Sequence, residues 1–191
     1  MTEEITWKQF KEAIEDGDLD KVKDLVENGQ LDLNNPDWEG DEKPLILAVK
    51  SRSPGLVEYL IEKGADVNGK HSVSGDSVLA VACSQSCNYG GDGGGESGEE
   101  ELEIVRCLLE NGADPNVESD DKSPLRGACY SGTGRLENRF DIIKLLVETG
   151  AYDELIETPY NRGYSPVFDT CGFGEWALDC FQYFTEKFPN L

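Results

Sequence analysis

Three stretches of this chain end in the same way: LVEYLIEKGADVN (56–68), EIVRCLLENGADPN (103–116) and DIIKLLVETGAYD (141–153), with LDKVKDLVENGQLDLN (19–34) as a looser fourth. Each reads as an apolar helix that stops at a glycine. Val57, Leu60 and Ile61, and again Val105, Leu108 and Leu109, fall at helical spacing, while Gly64, Gly112 and Gly150 stand where a left-handed residue ends a helix. Recurrence at a period between about 20 and 50 residues restricts the fold severely, because a unit that short cannot bury its own apolar face and must stack on its neighbours.

A second signal precedes these helices: KPLILAV (43–49), SVLAVAC (77–83), SPLRGAC (123–129) and SPVFDTC (165–171), introduced by Gly40, Gly75 or Gly163, or by Asp121 in the third case. Together the two signals resemble the ankyrin repeat, whose unit is a β-turn, a helix opening Thr-Pro-Leu-His-x-Ala, a turn, and a second helix ending Leu-Leu-x-x-Gly-Ala-Asp-x-Asn. Gly64 to Asn68 and Gly112 to Asn116 match that ending position for position. The resemblance implies an all-α, ankyrin-repeat solenoid of helix-turn-helix units with short β-turn fingers, running as a single domain over residues 1–191. The family's histidine is replaced by Ile46, Ala80, Arg126 and Phe168, and its threonine survives as Ser77, Ser123 and Ser165. The family's hydroxyl-histidine network is therefore expected to be missing, leaving apolar stacking as the main driving force.

The alanine of the first helix serves as a ruler: Ala13, Ala48, Ala82, Ala128, then Thr170, in steps of 35, 34, 46 and 42 residues. The two long steps place inserted loops between the two helices of a unit. Five units follow, at about 5–36, 37–70, 71–118 with an insertion at 87–101, 119–158 with an insertion at 131–139, and 159–191. The first unit opens directly on a helix with Trp7 and Phe10, and the last is aromatic (Trp176, Phe181, Tyr183, Phe184, Phe188). Both read as caps closing the ends of the stack.

Charge narrows the function. Against 39 acidic residues stand 17 basic ones, a net −22. Such a field repels phosphate, which argues against nucleic acid and anionic lipid and for a basic protein partner. No run reaches the ~18 to 20 apolar residues of a membrane span, and the charged MTEEITWKQFKEAIEDGD lacks the core of a signal peptide, so a cytoplasmic location is expected. Cys83, Cys129 and Cys171 each follow the ruler position, and Cys107 and Cys180 occupy second helices, so five of the six cysteines read as small apolar fillers in a reducing compartment. Cys87 lies outside the register beside the insertion. Zinc is disfavoured: Cys83 and Cys87 are four apart, but no CxxC pair exists and the single histidine, His71, sits in a turn. The insertion NYGGDGGGESGEEE (88–101) contains a literal GxGxxG, yet it follows a helix and is flanked by acids, so nucleotide binding is not expected. It reads as a solvated acidic arm; its closing glutamates, Glu99 to Glu103, also suit the first turn of the next helix. Asp92, Glu96 and Glu99 lack calcium-loop spacing. With one histidine and no catalytic motif, no enzyme activity, cofactor or small-molecule substrate is expected.

What remains is protein binding. In ankyrin-like stacks the partner meets the turn tips and the exposed positions of the first helices. Carried across unit by unit, this gives tips at Trp38, Glu39 and Asp41; Val73, Ser74 and Asp76; Ser119, Asp120 and Lys122; and Asn161, Arg162 and Tyr164. The helix positions are Lys50 and Ser51, Ser84 and Gln85, Tyr130 and Ser131, and Gly172 and Phe173. Trp38 ranks first, as a tryptophan in a polar turn, with Tyr130 and Tyr164 next. The acids among these residues would speed encounter with a basic patch. Three functions fit: an inhibitor or immunity-type protein masking a basic enzyme, an adaptor or host-directed effector scaffold, and a chaperone for a highly basic protein.

Overall fold

The computed structural model describes residues 7–29, 31–35, 43–71, 74–85, 99–117, 123–129, 138–151 and 176–188. These contain nine helices: α1 (Trp7–Glu15), α2 (Leu19–Gly29), α3 (Pro44–Lys50), α4 (Pro54–Glu62), α5 (Val78–Gln85), α6 (Glu99–Glu110), α7 (Pro124–Cys129), α8 (Arg139–Glu148) and α9 (Trp176–Lys187). Extended structure among the described residues is limited to an isolated antiparallel bridge, Lys70 to Ser77, so the fold is all-α.

Local chemistry sets where the helices start and stop. Proline occupies the first position of α3, α4 and α7, where its fixed φ suits the helix and its missing N–H costs nothing. The serines that replace the family's threonine act as N-caps: Ser77 Oγ accepts the Ala80 N–H at 3.1 Å, and Ser123 Oγ accepts that of Arg126 at 3.2 Å. At the other end, Gly64, Gly112 and Gly150 adopt φ of 91°, 87° and 96°. The following alanine donates back into the last turn, Ala65 to Leu60, Ala113 to Leu108 and Ala151 to Leu146, each near 3 Å.

Pairs then stack in two rows. Helix α1 packs on α2, α3 on α4, α5 on α6 and α7 on α8; the first helices run α1, α3, α5, α7 in contact, and the second helices α4, α6 and α8 line up behind them. The ruler alanines Ala13, Ala48, Ala82 and Ala128 are 0 to 3% exposed, because they sit where successive first helices press together. Gly127 marks a close approach of α7 to α5: a Cβ there would stand 3.3 Å from the backbone nitrogen of Ser84. Phe10 is fully buried at one end, and at the other Phe184 is buried while Phe140 meets Tyr183 edge-on at 5.8 Å.

A polar ladder joins the units along the glycine turns. Asn34 Nδ2 donates to Gly64 O at 2.8 Å, and its Oδ1 accepts the Asp66 N–H at 2.8 Å. Asn68 repeats both bonds, to Gly112 O and from the Asp114 N–H, and Asn116 Nδ2 reaches Gly150 O. Each asparagine is itself held by the aspartate two residues before it, through its own N–H. The family's missing histidine network thus coexists with a second network that links successive turns.

Candidate functional site

Most of the expected contact residues, Trp38, Glu39, Asp41, Val73, Asp120, Tyr130, Arg162, Tyr164 and Phe173, lie outside the described residues. So do Cys171, residues 87–98 of the first insertion, Cys87 among them, and residues 131–137 of the second. The described part of the face comprises the finger between α4 and α5 and the outer positions of the first helices.

The finger is built by short bonds across its neck. His71 N–H donates to Asp76 O and Gly75 N–H to His71 O, both at 2.8 Å, while His71 Nδ1 accepts the Ser74 N–H at 3.2 Å. The histidine in the turn is a local organiser of backbone. Ser74 is exposed, as expected for a tip. Asp76 is not: it is only 9% exposed, because the residue enters the bridged neck, so its carboxylate is not the presented acid that its register suggests.

Along the first-helix row, Lys50 is exposed and Ser51 and Ser84 are half-buried. Both hydroxyls turn back into their own helices, Ser51 Oγ to Ala48 O at 3.0 Å and Ser84 Oγ to Val81 O at 3.1 Å. Arg126 stands half-buried where the family has histidine. Helices α3, α5 and α7 contain neither aspartate nor glutamate, whereas their partners carry Glu58 and Glu62 on α4, Glu99, Glu100, Glu101, Glu103 and Glu110 on α6, and Asp141 and Glu148 on α8. Among the described central units the acid is therefore segregated to the second-helix row. Composition alone could not locate it; the segment-by-segment sequence could have, since SVLAVAC and SPLRGAC hold no acid.

Other features were not read from the sequence. Arg52, between α3 and α4, takes a left-handed φ of 55° and pairs with Glu101, a member of the acid run expected to be solvated but only 4% exposed. Helix α6 begins at Glu99, so Glu99 to Glu101 are helical instead of belonging to the inserted arm. Arg139, placed at the end of the second insertion, opens α8 and is 1% exposed. Cys83, Cys129 and Cys180 are buried as the register implies, and burial together with Glu58 and Glu110 pushes the Cys107 thiol up, against a bond from Asn111 that lowers it. On the second-helix row Lys63 and Lys23 lie over the Tyr59 ring, 5.4 and 5.7 Å from its centre, and Lys63 approaches Glu27 at 3.5 Å. Leu178 and Phe181 on α9 are exposed.

Among the described residues no group of three or more His, Cys, Asp or Glu side chains is placed to hold a metal ion, and no helix is long and apolar enough to cross a membrane. The family model for ankyrin repeats in three copies matches residues 10–90, and that for the single ankyrin repeat matches residues 74–120. The chain is 32% identical over 137 residues to the ankyrin repeat and KH domain-containing protein mask-1 of Caenorhabditis elegans, covering 71% of this chain and 4% of that protein. It is 34% identical over 106 residues to the E3 ubiquitin-protein ligase KEG of Arabidopsis thaliana (55% and 6%). With the human ankyrin repeat, SAM and basic leucine zipper domain-containing protein 1 it shares 32% identity over 111 residues (58% and 20%). The chain thus spans a fifth or less of the length of these relatives.

Proposed function

The chain belongs to the ankyrin-repeat family, and from that premise we propose that it is a non-enzymatic binding module that engages a basic partner protein through its turn tips and first-helix row. Ankyrin repeats are as a rule non-catalytic interaction modules. The observation that carries the choice of face is the segregation of charge: the acid-free first helices α3, α5 and α7 offer a surface whose polar positions are Lys50, Ser51, Ser84 and Arg126. The second helices, by contrast, carry acids that are exposed apart from the half-buried Glu100 and the buried Glu101.

Attraction to a basic partner then acts at range, through the net −22 and the acids of the tips, Glu39, Asp41 and Asp120, while contact energy comes from the aromatic residues Trp38, Tyr130, Tyr164 and Phe173 together with Arg162 and Val73. In its simplest form this is an inhibitor or immunity-type protein that covers the basic site of a nucleic-acid-binding or toxic enzyme. A second reading, an adaptor or host-directed scaffold, is favoured by the relatives, whose names record unlike activities while sharing a segment with this chain. A chaperone for a basic protein fits the charge alone.

The test is calorimetry with a partner captured from the source lysate and then purified. Trp38→Ala with Tyr130→Ala is expected to keep the helical circular dichroism and weaken binding at least about tenfold, roughly 1.4 kcal/mol. Unchanged affinity would move the site off the tips.

A further inference from the structure

Helix α6 is docked on the stack by the half-buried Leu102 and by a fully buried apolar stripe that starts only after it. Its first buried apolar residue is Ile104, followed by Val105 and Leu108, so the opening turn, Glu99 to Glu101, has a single buried member, and that member is a glutamate. Glu101 is 4% exposed, and its Oε1 is paired with a terminal guanidinium nitrogen of Arg52 from the preceding unit. The pair is only half-satisfied: Glu101 Oε2 and Arg52 Nε are buried and make no hydrogen bond. Arg52 reaches this position from a left-handed backbone, φ 55°, that an arginine adopts at a cost. The two partners are also unequal. The Arg52 side chain is 34% exposed and can turn into water, whereas that of Glu101, 5% exposed, cannot do so unless the helix turn moves with it.

From this asymmetry we propose that Arg52 and Glu101 form a charge latch, in which the first turn of α6 stays docked only while the guanidinium neutralises the carboxylate. Breaking a buried pair strands an uncompensated charge, and the cheapest relief here is local: the turn undocks and hydrates Glu101, while Ile104, Val105 and Leu108 keep the rest of α6 in place. The latch joins the turn bearing Ser51, on the first-helix row, to the second-helix row of the following unit. It does not depend on which partner the protein binds.

Amide hydrogen exchange on the full chain tests it. Arg52→Ala should speed exchange at residues 102–105, whose amides need the first turn docked, by at least about tenfold, with protection of α4 and α8 unchanged. Arg52→Gly should do the same although it relieves the backbone strain. Glu101→Met should leave the turn docked, because Arg52 is free to swing outward, and adding Glu101→Met to Arg52→Ala should restore protection. The latch would be overturned by no local change in either Arg52 variant, or by a double variant as exposed as Arg52→Ala, which would mean that contacts of the arginine other than charge neutralisation hold the turn. If Arg52→Ala instead lowers protection throughout the chain, the pair is a global element of the stack and the local latch is likewise refuted.

Discussion

Gly112 and Gly127 have opposite reasons to lack a side chain. At Gly112 a Cβ would meet nothing within 4 Å, but φ is 87°, so the cost of Gly112→Ala is that of the backbone alone, about 1 to 2 kcal/mol in urea unfolding. At Gly127 the backbone is helical, and Ala would gain about 1 kcal/mol from propensity in an open helix. Its Cβ would stand 3.3 Å from Ser84 N and 3.5 Å from Ala80 O, backbone atoms that cannot rotate away. Gly127→Ala is therefore expected to destabilise, and a gain in the same assay would mean that α5 and α7 separate easily. Cys107 carries a pH prediction. Burial, then Glu58 and Glu110, raise its thiol above the ordinary 9.0, so the folded chain holds that proton more tightly than the unfolded one. Its contribution is complete below the ordinary thiol value and is lost as pH climbs through the folded value. Tyr59, raised first by burial from 10.0, adds a second loss at higher pH. Stability should fall as pH rises past about 9, and Cys107→Ser should remove the earlier part of the fall, as followed by denaturant titration.

The helices themselves were largely legible in the sequence, because the properties that define them are periodic or punctual. The apolar spacing of Val57, Leu60 and Ile61, the glycines after α4, α6 and α8, and the alanine ruler are all one-dimensional signals, and the structure places them as a helix face, left-handed caps and packed contacts. What stayed hidden depends on two units at once. Nothing in the segment Glu99 to Glu101 distinguishes the glutamate that is buried from those that are not; the distinction is made by Arg52, 49 positions earlier. Asp76 likewise reads as a tip acid until the bridge between Lys70 and Ser77 draws it into the neck. The asparagines of the ladder were visible as part of the repeat ending, but their partners belong to the next unit. Asn68→Ala deletes two inter-unit bonds, to Gly112 O and from the Asp114 N–H. It should cost roughly 1 to 3 kcal/mol and expose the amide of Asp114 to exchange. Retained protection at Asp114 would show that the turns hold their shape without the ladder.

Among the described central units, acid is unevenly spread over the two helix rows. The first-helix row holds no acid in α3, α5 and α7, and the second-helix row holds most of the described acid of the central units, so for the proposed basic partner long-range attraction and first-helix contact would draw on different helices. The association rate should fall steeply as salt rises, with the dissociation rate nearly constant. The central claim, that the first-helix row is the contact surface, is tested most directly by partner-binding kinetics of two charge-altered proteins with intact helical spectra. Ser51→Lys with Ser84→Lys puts positive charge on the first-helix row, where it would oppose a basic partner at contact; Glu58→Lys with Glu103→Lys changes the second. The account predicts that the first pair speeds dissociation at least about tenfold, while the second slows association a few-fold at low salt and leaves dissociation unchanged. The reverse pattern, with dissociation governed by Glu58 and Glu103 and indifferent to Ser51 and Ser84, would contradict it.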